Sequence, residues 1–104
     1  MTIQLNADHN LNIHGDFREK LNDMLLEGLS RFSEHITRLE VHLSDENGSK
    51  NGEDDKRCMI EARIEGKQPI AVTDFADTYE NALDDAIEKL KSSLDTIFGK
   101  MSNP

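Results

Sequence analysis

The chain has 104 residues, 36% of them apolar, with 21 acidic residues against 12 basic ones and a formal net charge of −9. That length allows one small domain, expected over residues 1–104, burying about 60–65% of the surface of its unfolded chain. No apolar run approaches the roughly 18–20 residues of a membrane span. The start, Met1-Thr2-Ile3-Gln4-Leu5-Asn6, lacks the basic and then apolar pattern of a signal peptide. A cytoplasmic protein with no membrane partner is expected. The lone Cys58 cannot build a disulfide framework or a thiolate metal cluster within one chain. The acidic balance argues against generic nucleic-acid binding, which relies on Lys and Arg to displace counterions from phosphates.

Along the chain, Ile3, Leu5 and Ala7 alternate and predict a short strand, followed by a turn at Asp8-His9-Asn10. From Asp16 to Ile36 the residues Phe17, Leu21, Met24, Leu25, Leu29, Phe32 and Ile36 recur at steps of three and four. They form one apolar stripe and predict a helix over the whole stretch. Asp16 with Glu19 has the spacing of a capping box, and its carboxylate faces the positive end of the helix dipole. Leu39, Val41 and Leu43 then alternate with Glu40, His42 and Ser44. Cys58, Ile60, Ala62 and Ile64 alternate with Met59, Glu61, Arg63 and Glu65. Both runs have the period of a strand with one buried and one wet face. A turn at Glu65-Gly66-Lys67-Gln68 leads to a further strand, Ile70-Ala71-Val72-Thr73. Between the first two of these strands, Asp45–Asp55 is rich in Gly, Asn, Ser and acids and reads as a flexible acidic loop or arm.

A second helix is expected from Asp77 or Thr78, with Glu80 in a cap-like contact. Its stripe is Tyr79, Ala82, Leu83, Ala86, Ile87, Leu90, Leu94, Ile97 and Phe98, with Gly99 as C-terminal cap and Lys100 facing the dipole's negative end. The order β-α-β-β-β-α implies an α+β fold, a four-stranded sheet with two helices packed on one face. Glu40, His42, Met59, Glu61, Arg63 and Glu65 then face outward, a mixed-charge surface without the aromatic pair on which single-strand RNA binders stack bases.

Catalytic signals are weak, and the chain is expected to be no enzyme. The histidines His9, His14, His35 and His42 are scattered, and no His-x-x-x-His pair shares a helix face. Cys58 follows Lys56 and Arg57, but the alternation places it inward beside Ile60, where a thiol behaves as a small hydrophobe. The Asp45–Asp55 loop fails as an EF-hand: starting at Asp45 puts Lys50 where Gly is needed, and starting at Asn47 puts Cys58 at the Glu position. No metal, no cofactor and no small-molecule substrate is expected. Arg38, Lys56, Arg57, Arg63 and Lys67 are the one basic concentration. Their simplest role is cross-strand ion pairing, for instance Glu40 or Glu61 with Arg63.

Three stretches carry a family resemblance. They run from Leu29-Ser30-Arg31-Phe32 through Val41-His42-Leu43-Ser44-Asp45-Glu46-Asn47-Gly48, then Asp55-Lys56-Arg57-Cys58-Met59-Ile60-Glu61-Ala62-Arg63, then Glu65-Gly66-Lys67-Gln68-Pro69-Ile70-Ala71-Val72-Thr73. With the pattern of the closing helix, the chain resembles the ribosome hibernation-promoting factor and ribosome-associated inhibitor A family, also called sigma-54 modulation proteins, in a short proteobacterial branch. The resemblance implies a fold like that of a double-stranded-RNA-binding domain and a non-enzymatic role. It implies binding to the small ribosomal subunit near the decoding centre, which blocks translation and stabilises idle ribosomes under stress or in stationary phase. Long members add a C-terminal dimerisation domain, which this chain, ending at Pro104, is expected to lack.

On that resemblance Arg38, Lys56, Arg57, Arg63, Lys67, Lys89 and Lys91 are the candidate contacts to ribosomal RNA or ribosomal protein. Family members carry dense Lys and Arg on both helices, whereas here residues 68–104 hold three basic and seven acidic residues. The alternative is an acidic protein-interaction module that keeps the fold without binding ribosomal RNA. A homodimer through the free sheet face or an edge strand is also open.

Overall fold

The computed structural model describes residues 1–8, 13, 15–46 and 55–99. The expected turn after Asp8, most of the acidic loop, and Lys100 lie outside the described residues. The elements are β1 (Thr2–Ala7), α1 (Gly15–Gly28), β2 (Ile36–Asp45), β3 (Lys56–Ile64), β4 (Ile70–Ala76) and α2 (Tyr79–Leu94). They build one sheet in the order β1-β2-β3-β4, with β1 parallel to β2 and the other pairs antiparallel. The parallel pair needs a crossover, which α1 supplies.

The alternation in each strand selects the buried face. Leu5 stands opposite Val41, Val41 opposite Ile60, and Ile60 opposite Val72, so one row of apolar side chains runs across the sheet beneath the helices. Leu39, Val41, Leu43, Cys58, Ile60 and Ala62 are buried there with Leu21 and Leu25 of α1 and Leu83, Ala86, Ile87, Leu90 and Leu94 of α2. Helix α2 lies over β3 and β4, with α1 beside it. Arg18 anchors α1 to β1, its guanidinium donating to the carbonyls of Leu5 at 3.1 Å and Ile13 at 3.3 Å.

The first helix is shorter than its apolar stripe suggests. It stops at Gly28, a single 3-10 turn covers Ser30–Phe32, and Ile36 already opens β2. The register shifts between Ile36 and Arg38, making a bulge at Thr37, whose hydroxyl donates to the Arg63 carbonyl at 3.1 Å. The 3-10 turn and the bulge together space Leu29, Phe32, Ile36 and Leu39 by three and four residues. All four are buried, so a turn and a bulged strand imitate the helical period. Asp16 lies inside the first turn rather than at the cap, so only its dipole role stands.

Thr78 is the N-cap of α2, its hydroxyl oxygen accepting from the Asn81 N–H at 3.0 Å. Glu80 makes no cap contact; it accepts instead from Lys20 Nζ of α1 at 2.6 Å. The α-helical part of α2 ends at Leu94, and a π-type turn takes Asp95–Gly99. That turn lets the Phe98 ring stack on His35 at 4.1 Å between centroids, while Arg31 pairs with Asp95 and lies over the Phe32 ring. Gly99 therefore belongs to the π-type turn and caps no α-helix. No helix among the described residues is long and apolar enough to cross a membrane.

Candidate nucleic-acid interface

With both helices on one side, the other face of the sheet is partly exposed to solvent, except that Ser44 at one end is buried. Strand pairing arranges it in four cross-strand rows. The first is Thr2, Arg38 and Arg63; the second is Gln4, Glu40, Glu61 and Ala71. The third is Asn6, His42, Met59 and Thr73, and the last is Ser44, Arg57 and Phe75.

At the first two rows the charges neutralise one another. Arg38 Nε donates to Glu40 at 3.2 Å and its other end reaches Gln4. Arg63 stands 3.8 Å from both Glu40 and Glu61. Of these ion pairs only Arg63–Glu40 crosses strands as expected, while Arg38–Glu40 and Arg63–Glu61 each lie along one strand; all are partly exposed, where such contacts are worth about 0–1 kcal/mol each. Both guanidiniums stay accessible to a stronger anion.

Arg57 differs. It sits at the far end of the same face, with no ion pair or side-chain hydrogen bond among the described residues. Lys56, its neighbour in sequence, points to the opposite face, as successive strand residues must. There Lys56 Nζ reaches Asp55 at 2.9 Å and Asp45 at 3.3 Å, and lies 5.8 Å from the centre of the Tyr79 ring. Its hydrogen bond to Asp55 holds its ammonium above the usual lysine range, against a smaller opposing effect of burial. Burial, then the nearby Asp45, raises the Tyr79 hydroxyl.

The seven candidate contacts therefore do not form one patch. Arg38, Arg57 and Arg63 share the outer sheet face. Lys67 is exposed in the β3–β4 turn, where Gly66 takes φ +76° and the Lys67 N–H donates to the Ile64 carbonyl at 3.1 Å. Lys56 lies at the helix side. Lys89 of α2 donates to the Thr73 carbonyl at 2.8 Å and stands 3.6 Å from Asp74, and Lys91 pairs with Glu88 at 3.3 Å. Sequence reasoning stopped the last strand at Thr73 and so missed Phe75, which β4 carries onto the outer face, 43% exposed. The signal was available: Ala71, Thr73 and Phe75 continue the alternation.

Cys58 is fully buried, and burial pushes its thiol up to about 12, which leaves no thiolate nucleophile near neutral pH. Among the described residues, no three His, Cys, Asp or Glu side chains are placed to hold a metal ion.

The sequence matches the family described as sigma 54 modulation protein / S30EA ribosomal protein over residues 6–102. The chain belongs to that family. Its fold is shared with the N-terminal domain of Thermus thermophilus Protein Y at a TM-score of 0.73 and 20% identity, covering 93% of this chain and 99% of that one. A ribosomal subunit interface protein from Coxiella burnetii matches at a TM-score of 0.71 and 18% identity, covering 95% and 99%. No curated protein matches the chain by sequence. The family assignment agrees with the resemblance carried by the β2–β4 stretches, and the two structures share the four-stranded sheet with two helices.

Proposed function

We propose that this chain is a cytoplasmic, non-catalytic, ribosome-associated factor that binds the small ribosomal subunit and holds idle ribosomes under stress or in stationary phase. Family membership supports the ribosome as partner, and the Coxiella burnetii relative in fold is itself described as a subunit interface protein. The single observation that carries the contact surface is the segregation of charge. The outer sheet face sets Arg38, Arg57 and Arg63 against Glu40 and Glu61, a small excess of base with Lys67 at its end, while each helix has an excess of acid. Contacts from such residues to phosphates position a protein without reading sequence. Lys56, Lys89 and Lys91, each held by a carboxylate, are secondary contacts in this reading.

Sucrose-gradient sedimentation of stationary-phase lysate at low and high salt tests it. A peak with small subunits or whole ribosomes that dissolves as salt rises supports contact through phosphates. Sedimentation only near the top at both salts refutes ribosome association.

A second reading, the acidic protein-interaction module, is favoured by one feature. Glu19, Asp23 and Glu27 repeat every four residues along the exposed side of α1. Like charges at that spacing destabilise a helix by a few tenths of a kcal/mol per pair. Ribosome binding that survives high salt and is lost when these three become Gln would favour that reading over phosphate contact.

A further inference from the structure

The two ends of the outer face are chemically unlike. At one end Arg38 and Arg63 are engaged by Glu40, Glu61 and Gln4. At the other, three different features follow one another across adjacent strands. Phe75 of β4 is 43% exposed; beside it, in register, stands Arg57 of β3, which has no ion pair or side-chain hydrogen bond among the described residues. Beyond Arg57, towards β2 and β1, lies a cleft of about 390 Å³ whose lining includes Asn6, Asp8, His42, Glu46, Met59 and Arg57 itself.

A lone exposed phenylalanine is ordinary on a protein surface. Its place next to a guanidinium that has no ion pair among the described residues, and next to a cleft, is what gives it meaning. An aromatic face accepts any nucleobase by stacking. A guanidinium takes a phosphate in a forked, charge-assisted contact. The cleft offers carboxylate and amide acceptors at Asp8, Glu46 and Asn6, which suit the amino donors of a base edge. The same carboxylates repel a second phosphate, so the arrangement suits an unpaired nucleotide step and opposes the continuous backbone of a duplex.

We propose that the Arg57 end of the outer sheet face is a subsite for one dinucleotide step of single-stranded RNA. One base stacks on Phe75, the linking phosphate lies on Arg57, and the adjoining base enters the cleft beside His42. The proposal rests on the ribosome-association reading for its source of RNA and adds to it where, and in what form, the RNA is held.

The chain contains no tryptophan and one tyrosine, so Phe75→Trp introduces a single tryptophan at the stacking position, which can be excited selectively over Tyr79. Titrating this variant with oligo(A) and oligo(U) pentanucleotides at low salt should quench its emission, with tighter binding for oligo(A), whose bases carry an amino donor and a larger stacking face. In parallel, binding of labelled oligo(A) to the unsubstituted chain should weaken about 5- to 150-fold for Phe75→Ala, the range for one stacked base. Phe75→Leu should lose nearly as much, because it keeps apolar area and loses the π face. Arg57→Gln should lower the salt dependence by about one phosphate contact. Thermal melting checks that these exposed substitutions leave the fold intact.

Unchanged affinity for Phe75→Ala, or an unquenched tryptophan at saturating oligonucleotide, overturns the subsite. If the chain co-sediments with small subunits but binds no oligonucleotide, the subsite falls and the ribosome reading stands with a protein contact. If it does neither, both fall.

Discussion

Gly28, the last residue of α1, lies directly against Ile87 of the second helix. A Cβ built there would stand 2.7 Å from Cγ2 of Ile87, about 1 Å inside van der Waals contact. Ile87 is 2% exposed and sits in α2, where a β-branched side chain has one strongly preferred rotamer, so the methyl cannot swing away. Gly28→Ala must therefore push α1 from α2. Overpacking of this kind costs about 1–3 kcal/mol. Against it stands the gain in helix propensity, about 0.5–1 kcal/mol in a helix interior and smaller at a terminus. The clash wins by about 1–2 kcal/mol. For a chain of this size that lowers Tm by about 5–15 °C, with a lower urea midpoint and an unchanged slope. Ile87→Ala removes the obstructing methyl. On its own it should cost about 2–5 kcal/mol, but combined with Gly28→Ala the two losses should fall short of their sum by at least about 1 kcal/mol. A raised or unchanged Tm for Gly28→Ala, or strictly additive losses in the pair, would refute the close approach as the reason for glycine.

Lys56→Glu and Arg57→Glu, adjacent in sequence, should separate stability from binding. The first places a carboxylate between Asp45 and Asp55 and should lower Tm, with a smaller loss of co-sedimentation by the folded protein than the second causes, as befits a secondary contact. The second should leave Tm unchanged and weaken co-sedimentation, reducing the salt slope by about 1; equal effects on both readouts would undo the two-faced assignment. Thr78→Ala should cost about 1 kcal/mol by leaving the Asn81 N–H without its cap, seen as a drop of about 4–8 °C in Tm, and Thr78→Ser should restore most of it. The Cys58 thiol should resist a thiol reagent at neutral pH until the chain unfolds. Because its folded value is raised from 9.0 to about 12, the unfolded chain loses this proton first. Stability should then fall as pH rises between those values, by up to about 1.4 kcal/mol per unit from this group. A Cys58→Ala variant with the same alkaline slope would remove the thiol from that account.

Much of the architecture was legible in the residues. The period of two in Leu39–Leu43 and Cys58–Ile64 identifies two strands and assigns their faces, because a pleated strand with one side buried admits no other arrangement of apolar side chains. The stripe from Ala82 to Leu94 does the same for α2, and the inward place of Cys58 follows from its parity with Ile60. The family, too, was legible in the β2–β4 stretches. The boundaries were not. Leu29, Phe32, Ile36 and Leu39 keep the helical period through a 3-10 turn and a bulge, since spacing records which side of the chain meets the core and not the backbone path between contacts.

The candidate surface divides along the same line. The sequence alone supplies the inventory of basic residues, the acid excess and the alternation that sends Lys56 and Arg57 to opposite faces. Only the folded sheet decides which of these cations are neutralised, because ion pairs depend on cross-strand register. That register sets Arg63 near Glu40, holds Lys56 between Asp45 and Asp55, and leaves Arg57 beside Phe75. A charge run therefore announces its members in the sequence, while its binding capacity is settled by partners brought from distant strands.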